Sequence, residues 1–302
     1  MEDFPAFDLS HLTPSAQLLA YLPSAERIQH VRADRWIGYP IAVAAVTRLE
    51  ELYQWPNKQR MPNLLIISQT NNGKSMIVER FRRQHLPSSS AHQEDIPVLC
   101  VQMPSEPSIL RFYTALLAAM GSPLSPRSPL PVQEQQAIAL MRKVGVKLLV
   151  IDELHNVLAG HSNSRREFLN LLRFLGNELR IPLVGVGTHE AYLAIRSDNQ
   201  LENRFEPLIL PLWEVNDGTC SLLASFVSSF PLRQRSNIAN PDMARYLLAR
   251  SEGTIGELAL LLTKAAIVAI ETGDESINQK TLGLADYDGP SERRRKFERE
   301  LN

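Results

Sequence analysis

The sequence predicts an α/β protein: a parallel sheet with helices on both faces, followed by a small all-helical C-terminal domain. Three observations carry that expectation. Short apolar runs alternate with helical patterns from Asn63 to Leu212. The first run, Leu64 to Ile67, opens through Ser68-Gln69-Thr70-Asn71-Asn72 into Gly73-Lys74-Ser75 and a helical pattern, as a phosphate-binding loop does. After Trp213 the strand-like runs stop and only helical periodicity remains.

Taken in order, residues 1–40 form a Pro-interrupted N-terminal arm with one helical piece, Ser24 to Val31. A helix from Ile41 to Tyr53 opens the α/β core, residues 41–213. Within it, strand Asn63–Ile67 precedes helix Lys74–His85, and the polar loop Ser88–Asp95 leads to strand Pro97–Gln102 and helix Ser108–Met120. Gly121 to Pro131 is rich in Pro and Ser and reads as an exposed loop. Helix Val132–Lys143, strand Lys147–Ile151, a long helix from Ser164 to Arg180, and strands Pro182–Gly187 and Pro207–Leu212 complete the core. Residues 214–286 carry three helices near Gly218–Phe230, Pro241–Ser251 and Thr254–Thr272, the last with Ile255, Leu258, Ala259, Leu262, Ala265, Ala266 and Ala269 on one face. Residues 287–302 form a basic tail that should be disordered when free.

The chain has 302 residues, 44% of them apolar, which suffices for a sizeable core in two packed units. The formal net charge of −1 gives no overall basic field, so contact with nucleic acid must come from a local stripe or from many subunits together. The two cysteines, Cys100 and Cys220, lie in apolar surroundings and read as buried thiols of a reducing compartment. No apolar run approaches about eighteen residues, and Met1-Glu2-Asp3-Phe4-Pro5 lacks the basic start of a secretion signal. A cytoplasmic protein with no membrane partner is expected.

The loop fixes the chemistry. Backbone N–H groups of Thr70, Asn71, Asn72, Gly73, Lys74, Ser75 and Met76, with the positive end of the following helix, make a cradle for phosphates. Lys74 is placed for the β- and γ-phosphates, and the Ser75 hydroxyl for Mg2+. Ser68 stands where such loops usually begin with Gly. Lys147 to Ile151 is a buried strand ending in Asp152-Glu153. Asp152 would hold the metal, and Glu153 would orient and deprotonate the attacking water. A nucleoside triphosphate with Mg2+ is what these motifs require. Thr188, at the end of its strand, is placed to sense the γ-phosphate or to cap the helix beginning near Glu190, and both roles are compatible. Arg204, in Leu201-Glu202-Asn203-Arg204-Phe205, either reaches a neighbouring subunit's γ-phosphate or pairs with Glu202 or Glu206 on its own surface; Arg196 is a weaker candidate for the first role. Trp36, Ile37 and Tyr39 either wall the nucleotide base or pack the arm onto the core.

This order of parts resembles an AAA+ ATPase with a helical lid. The runs Arg60 to Leu65, Thr70 to Glu79, Ile151 to Asn156 and Val186 to Ala191 are similar to the TniB family of transposon-encoded ATPases, related to the TnsC-type regulators, over about Arg35 to Ala285. The resemblance implies an ATPase that binds duplex DNA through its backbone and assembles on it as a ring or helical filament. It further implies recruitment of a DDE-type transposase, contact with a TniQ-type targeting protein, and disassembly on ATP hydrolysis in the bacterial cytoplasm. It places Lys74, Ser75, Asp152, Glu153, Thr188 and Arg204 at the family's phosphate, metal, base, sensor and inter-subunit positions. Gly256 stands where many AAA+ lids carry a second sensor Arg.

DNA in that family is held by loops after the second strand, here Ser105, Ser108 and Arg111, and by the Pro-rich loop with Arg127 and Ser128; plain solvated surface is the alternative for both arginines. One or two phosphate contacts per subunit bind weakly, so assembly and DNA binding should be coupled. The basic tail either docks on a partner or merely solvates the end. Two other functions remain open: an adaptor that binds ATP with little turnover, and a replication ATPase such as a clamp loader or initiator. No zinc module, winged-helix extension or collar domain is visible after residue 286 to favour the latter.

Overall fold

The computed structural model describes residues 7–86, 95–122 and 128–301. In chain order, α1 (Pro14–Ala20), α2 (Ser24–Arg32) and α3 (Pro40–Tyr53) precede β1 (Asn63–Ile67) and α4 (Lys74–Gln84). Next come β2 (Val98–Gln102), α5 (Ile109–Ala119), α6 (Leu130–Lys143), β3 (Leu148–Asp152), a 3-10 turn (Leu154–Ala159) and α7 (Ser162–Leu179). Then β4 (Leu183–Gly187), α8 (His189–Arg196), α9 (Asn199–Glu202) and β5 (Phe205–Ile209) complete the sheet. The remainder is helical: α10 (Asp217–Ser229), α11 (Pro241–Ser251), α12 (Ile255–Thr272), α13 (Gln279–Leu284) and α14 (Pro290–Glu300). The chain divides into two compact units, Pro40–Pro211 and Met1–Tyr39 with Leu212–Asn302.

The first unit holds one five-stranded sheet in the order β2-β3-β4-β1-β5, every pairing parallel. Parallel strands need crossover helices on the sheet faces, which is why β1 to β4 are apolar almost throughout. Phe112 of α5 and Phe168 of α7 meet edge to face at 5.1 Å beneath Leu149 and Ile151 of β3. Each such side chain contributes roughly 1.5–3 kcal/mol on burial. Ser108 caps α5 by accepting the Arg111 N–H at 3.4 Å, and Pro131 in the first turn lets α6 begin at Leu130, two residues earlier than its periodicity suggests.

β5 departs from expectation. Its pairing runs from Asn63 opposite Phe205 to Ile67 opposite Ile209, not from Pro207 to Leu212. With β2 it is one of the two edge strands, so Pro207 can sit in it although it has no N–H, and Glu206 and Ile209 are exposed. Of the two edge strands, β5 is the more exposed and has the weaker apolar pattern.

The second unit is all-helical and includes the N-terminal stretch, which clusters with the C-terminal helices and does not stand as a separate arm. α12 supplies its spine, burying Ile255, Leu258, Leu261, Leu262, Ala265, Ala266 and Ala269. Arg27 of α2, 1% exposed, binds both carboxylate oxygens of Glu275 at 2.7 Å and the Pro231 carbonyl at 3.1 Å. That ion pair ties the start of the chain to its end. Residues 290–300, expected to be disordered, are helix α14: Pro290 starts it, the Gly289 N–H is accepted by Glu292, and Arg293 pairs with Glu257 of α12 at 2.7 Å. No α14 residue is buried, so local capping and charge pairing hold it. Among the described residues no single helix is long and apolar enough to cross a membrane.

Candidate functional site

β1, β3 and β4 all end at the same edge of the sheet, and the residues after them converge there. Ile67 pairs with Gly187, so the phosphate loop leaves β1 beside Thr188. In that loop Asn71 (φ 59°) and Gly73 (φ 87°) take left-handed backbone, which turns it sharply before α4 begins at Lys74. Ser68 keeps ordinary backbone, which is why a serine is tolerated where glycine is usual. Asn72, 2% exposed, donates to the carbonyls of Leu210 (3.1 Å) and Pro211 (2.9 Å), fastening the loop to the end of β5. Thr70 and Ser75 are exposed and Met76 is half-buried.

Lys74 is 7% exposed and its ammonium donates to the Ser68 carbonyl (3.2 Å), the Ser68 hydroxyl (3.0 Å) and the Gln69 carbonyl (2.8 Å). Burial lowers its pKa, opposed by the charges of Asp152 and Glu153. Ser68 is thus a direct partner of the loop lysine, a role the motif alone does not reveal. The Ser75 hydroxyl lies 3.5 Å from Asp152 Oδ2, so a hydroxyl and a carboxylate adjoin at the start of α4 and the end of β3. Among the described residues no group of three or more His, Cys, Asp or Glu side chains could hold a metal ion. A hydroxyl and one carboxylate beside a phosphate cradle fit Mg2+, which usually takes one or two protein oxygens and completes its shell with phosphates and water.

Glu153 sits at φ 56°, left-handed backbone that costs a non-glycine residue on the order of 1–3 kcal/mol. Its N–H donates to Asp152 Oδ1 at 2.8 Å, and its carboxylate meets His155 Nε2 at 3.1 Å. His155 was not singled out from sequence; its only signal is its place two residues after Glu153, one 3-10 turn away. Its Nδ1 is buried without a partner. The close approach depends on Gly187: a Cβ there would lie 2.7 Å from the Ala191 Cβ and 3.3 Å from both the His155 backbone nitrogen and Nδ1. Thr188 is half-buried at the N-cap of α8; its carbonyl accepts the Ala191 N–H at 3.0 Å while its hydroxyl donates to Glu190. Thr188 thus stands at the N-cap position without a side-chain cap bond, its hydroxyl engaged by Glu190.

Arg204 lies elsewhere. Its carbonyl accepts the Asn63 N–H at 2.9 Å, which puts it at the opposite edge of the sheet, one five-residue strand from the phosphate loop. At about 3.3 Å per residue that is roughly 16 Å. Its guanidinium donates to Asn177 Oδ1 of α7 at 2.9 Å and forms no ion pair with Glu202 or Glu206; Glu202 pairs with Arg196 and Glu206 with Arg48. Burial lowers the Arg204 pKa, with Arg60 and Arg173 adding to the effect.

The remaining candidates are scattered. Tyr39 packs edge-on against Trp213 at 5.1 Å within the helical unit, and burial pushes its hydroxyl pKa up to about 12. Trp36 and Ile37 are half-buried in the same unit. Ser105, Ser108 and Arg111 share the β2–α5 turn, with Ser105 and Arg111 exposed. Ser128 gives its carbonyl to Gln133 at 3.2 Å, and Arg127 lies outside the described residues.

Comparison with known proteins agrees with this layout. Among solved structures the chain is similar to the Aeropyrum pernix ORC1 protein in complex with DNA (TM-score 0.61, 16% identity, covering 85% of this chain and 68% of that one). It is likewise similar to Aeropyrum pernix ORC2 in its ADPNP–ADP complexes (TM-score 0.58, 17% identity, 85% and 71% covered). A third is Cdc6p from Pyrobaculum aerophilum (TM-score 0.55, 13% identity, 82% and 67% covered). At these identities the likeness is one of fold, the AAA+ arrangement of a P-loop α/β core with a helical domain. None of the curated proteins matches the chain in sequence. The family described as Bacterial TniB protein matches residues 27–215, more than half of the chain. With the phosphate loop, the Asp-Glu strand end and the Thr-ended strand all inside the matched span, this chain belongs to the TniB family.

Proposed function

We propose that this protein is an ATP-hydrolysing regulator of DNA transposition that assembles on duplex DNA as a ring or filament, engages a DDE-type transposase and a TniQ-type targeting protein, and is released by hydrolysis. One observation carries the reading: the site is split between the two edges of the sheet. Lys74, Ser75, Asp152, Glu153 and Thr188 gather at one edge, and Arg204 is held roughly 16 Å away at the other. A guanidinium there cannot serve its own subunit's nucleotide. It can serve a second copy's, in the head-to-tail contact that builds rings and filaments.

The division of labour follows from the side chains. Lys74 and the loop N–H groups grip the β- and γ-phosphates, and Ser75 and Asp152 would hold Mg2+. When bound, Mg2+ neutralises charge on the β- and γ-oxygens. Glu153 orients a water and takes its proton as the new O–P bond forms and the bond from the γ-phosphorus to the β–γ bridging oxygen breaks. Thr188 senses the γ-phosphate, and Arg204 of the next copy stabilises charge on the phosphoryl oxygens. Ser105, Ser108 and Arg111, with Arg127 and Ser128, offer each subunit a few phosphate contacts that assembly would sum along the duplex.

Support for DNA as partner comes from family membership and from a structural neighbour solved in complex with DNA. The same neighbours favour a second reading, a replication-type ATPase, but by fold alone, whereas the family match favours transposition. An adaptor with no turnover would have no use for a base held in left-handed backbone at Glu153. The test is electron microscopy of the protein with duplex DNA, Mg2+ and a non-hydrolysable ATP analogue. Regular assemblies are expected, absent for Lys74→Ala; single particles under all conditions would end the proposal.

A further inference from the structure

At the edge of the sheet that carries Arg204 lies a cavity of about 520 Å³. The chain between α3 and β1 lines one side with Trp55, Lys58 and Arg60; α9 and the residues beyond it line the other with Gln200, Asn203 and Arg204. This lining is rich in donors. Among the described residues no carboxylate forms an ion pair with Lys58, Arg60 or Arg204, whereas nearby Arg173 has Asp198 at 3.5 Å. The Trp55 indole nitrogen, a donor only, is buried and has no acceptor. Lys58 lies over the Trp55 ring at 5.1 Å, so the ring holds the ammonium without neutralising it. Arg60 and Arg173 act on Arg204 as like charges, with Asp198 opposing them. A cavity that gathers three cations outside any ion pair and an unused N–H donor is suited to an anion.

We propose that this cavity receives the terminal phosphate of a nucleotide bound to a second copy of the chain, with Arg60 and Lys58 gripping it alongside Arg204. The proposal rests on the reading of Arg204 as a residue acting across a subunit boundary and extends it from one side chain to a pocket. The subunit's own nucleotide is excluded by the strand length between the cavity and its phosphate loop, roughly 16 Å. A DNA backbone fits less well, since a duplex carries a charge about every 1.7 Å along its axis and is met by a stripe, not by a pocket. Phosphoryl transfer spreads charge over three equatorial oxygens, which two guanidinium forks and an ammonium can share.

The test mixes full-length variants with duplex DNA, ATP and Mg2+ and measures phosphate release. Arg60→Ala alone should fall on the order of a hundredfold, and Lys74→Ala alone should be inactive. In an equal mixture, an intact nucleotide site of Arg60→Ala can meet an intact cavity of Lys74→Ala, so turnover should rise at least about tenfold above that of either variant alone. The same mixture made with Arg204→Ala reports on the underlying reading. Recovery with Arg204→Ala but not with Arg60→Ala would show that the cavity serves its own subunit, overturning the proposal while leaving the reading intact. No recovery with either would overturn both. An Arg60→Ala protein with normal turnover but weaker DNA binding and a shallower salt dependence would make the cavity a DNA-phosphate site, again overturning the proposal. Arg60 is exposed, and Arg60→Gln, which keeps the polar stem, should behave as Arg60→Ala does if charge is what matters.

Discussion

Replacing Arg204 by Ala separates two accounts of the site by orders of magnitude. Within one subunit the guanidinium stands one strand, roughly 16 Å, from its own phosphate loop. At that distance in water two unit charges interact by about 0.3 kcal/mol, and salt with a screening length of about 8 Å reduces it further. An effect confined to one subunit would therefore change turnover by less than about twofold. If Arg204 instead meets the triphosphate of the next copy in the transition state, its loss should cost about a thousandfold or more, roughly 4 kcal/mol. The assay is steady-state phosphate release at saturating ATP and DNA, with nucleotide affinity of the isolated subunit measured in parallel. Turnover should collapse while that affinity holds, because Lys74 and its loop are untouched at the other edge of the sheet. A twofold loss or less would refute the trans assignment, and a matching loss of monomer affinity would place Arg204 in its own subunit's site.

Four further outcomes are expected. Glu153→Gln keeps the shape of the side chain but removes the base, so assemblies on DNA should persist for many times longer by electron microscopy; faster dissociation would reassign the base. Gly187→Ala places a Cβ 2.7 Å from the Ala191 Cβ and 3.3 Å from the His155 nitrogens, so the urea midpoint should fall by the equivalent of about 1–3 kcal/mol, and turnover should drop as Glu153 loses its His155 contact. In the helical unit, Arg27→Met leaves the half-buried Glu275 with only the Arg233 N–H and charge as partners, which should destabilise by about 1–3 kcal/mol in chemical denaturation. Burial pushes the Glu275 pKa up, but the hydrogen bonds from Arg27 and the Arg233 N–H and their charges outweigh it, so the net value lies below the ordinary 4.5. That contribution is complete above the ordinary carboxylate range and fades as pH falls through the depressed value; Glu275→Gln should flatten this acid limb, and an unchanged limb would refute the assignment.

The phosphate loop, the Asp152-Glu153 strand end, Thr188 and the alternation of strand and helix were legible in the linear chain. Each depends on neighbours a few residues away or on the apolar demand of a buried parallel strand. β5 was misplaced because Glu206 and Pro207 break its apolar pattern, whereas β2 at the other edge stays apolar and was placed correctly. α14 was read as disordered because its charged sequence has no apolar face; what orders it is a cap and a bond to Glu257, far off in sequence. Ser68 as partner of Lys74 and His155 as partner of Glu153 were also hidden, since only the fold determines which side chains face each other.

By itself, then, the sequence determined where a phosphate-type loop and an acid-ended strand lie along the chain, because backbone turns and the apolar demand of a buried strand are local. What only the tertiary structure decided is how far that loop lies from Arg204. The register of β5 on β1 sends Arg204 to the far edge of the sheet, beside Arg60 and Lys58, and no local pattern encodes the distance between two ends of one strand.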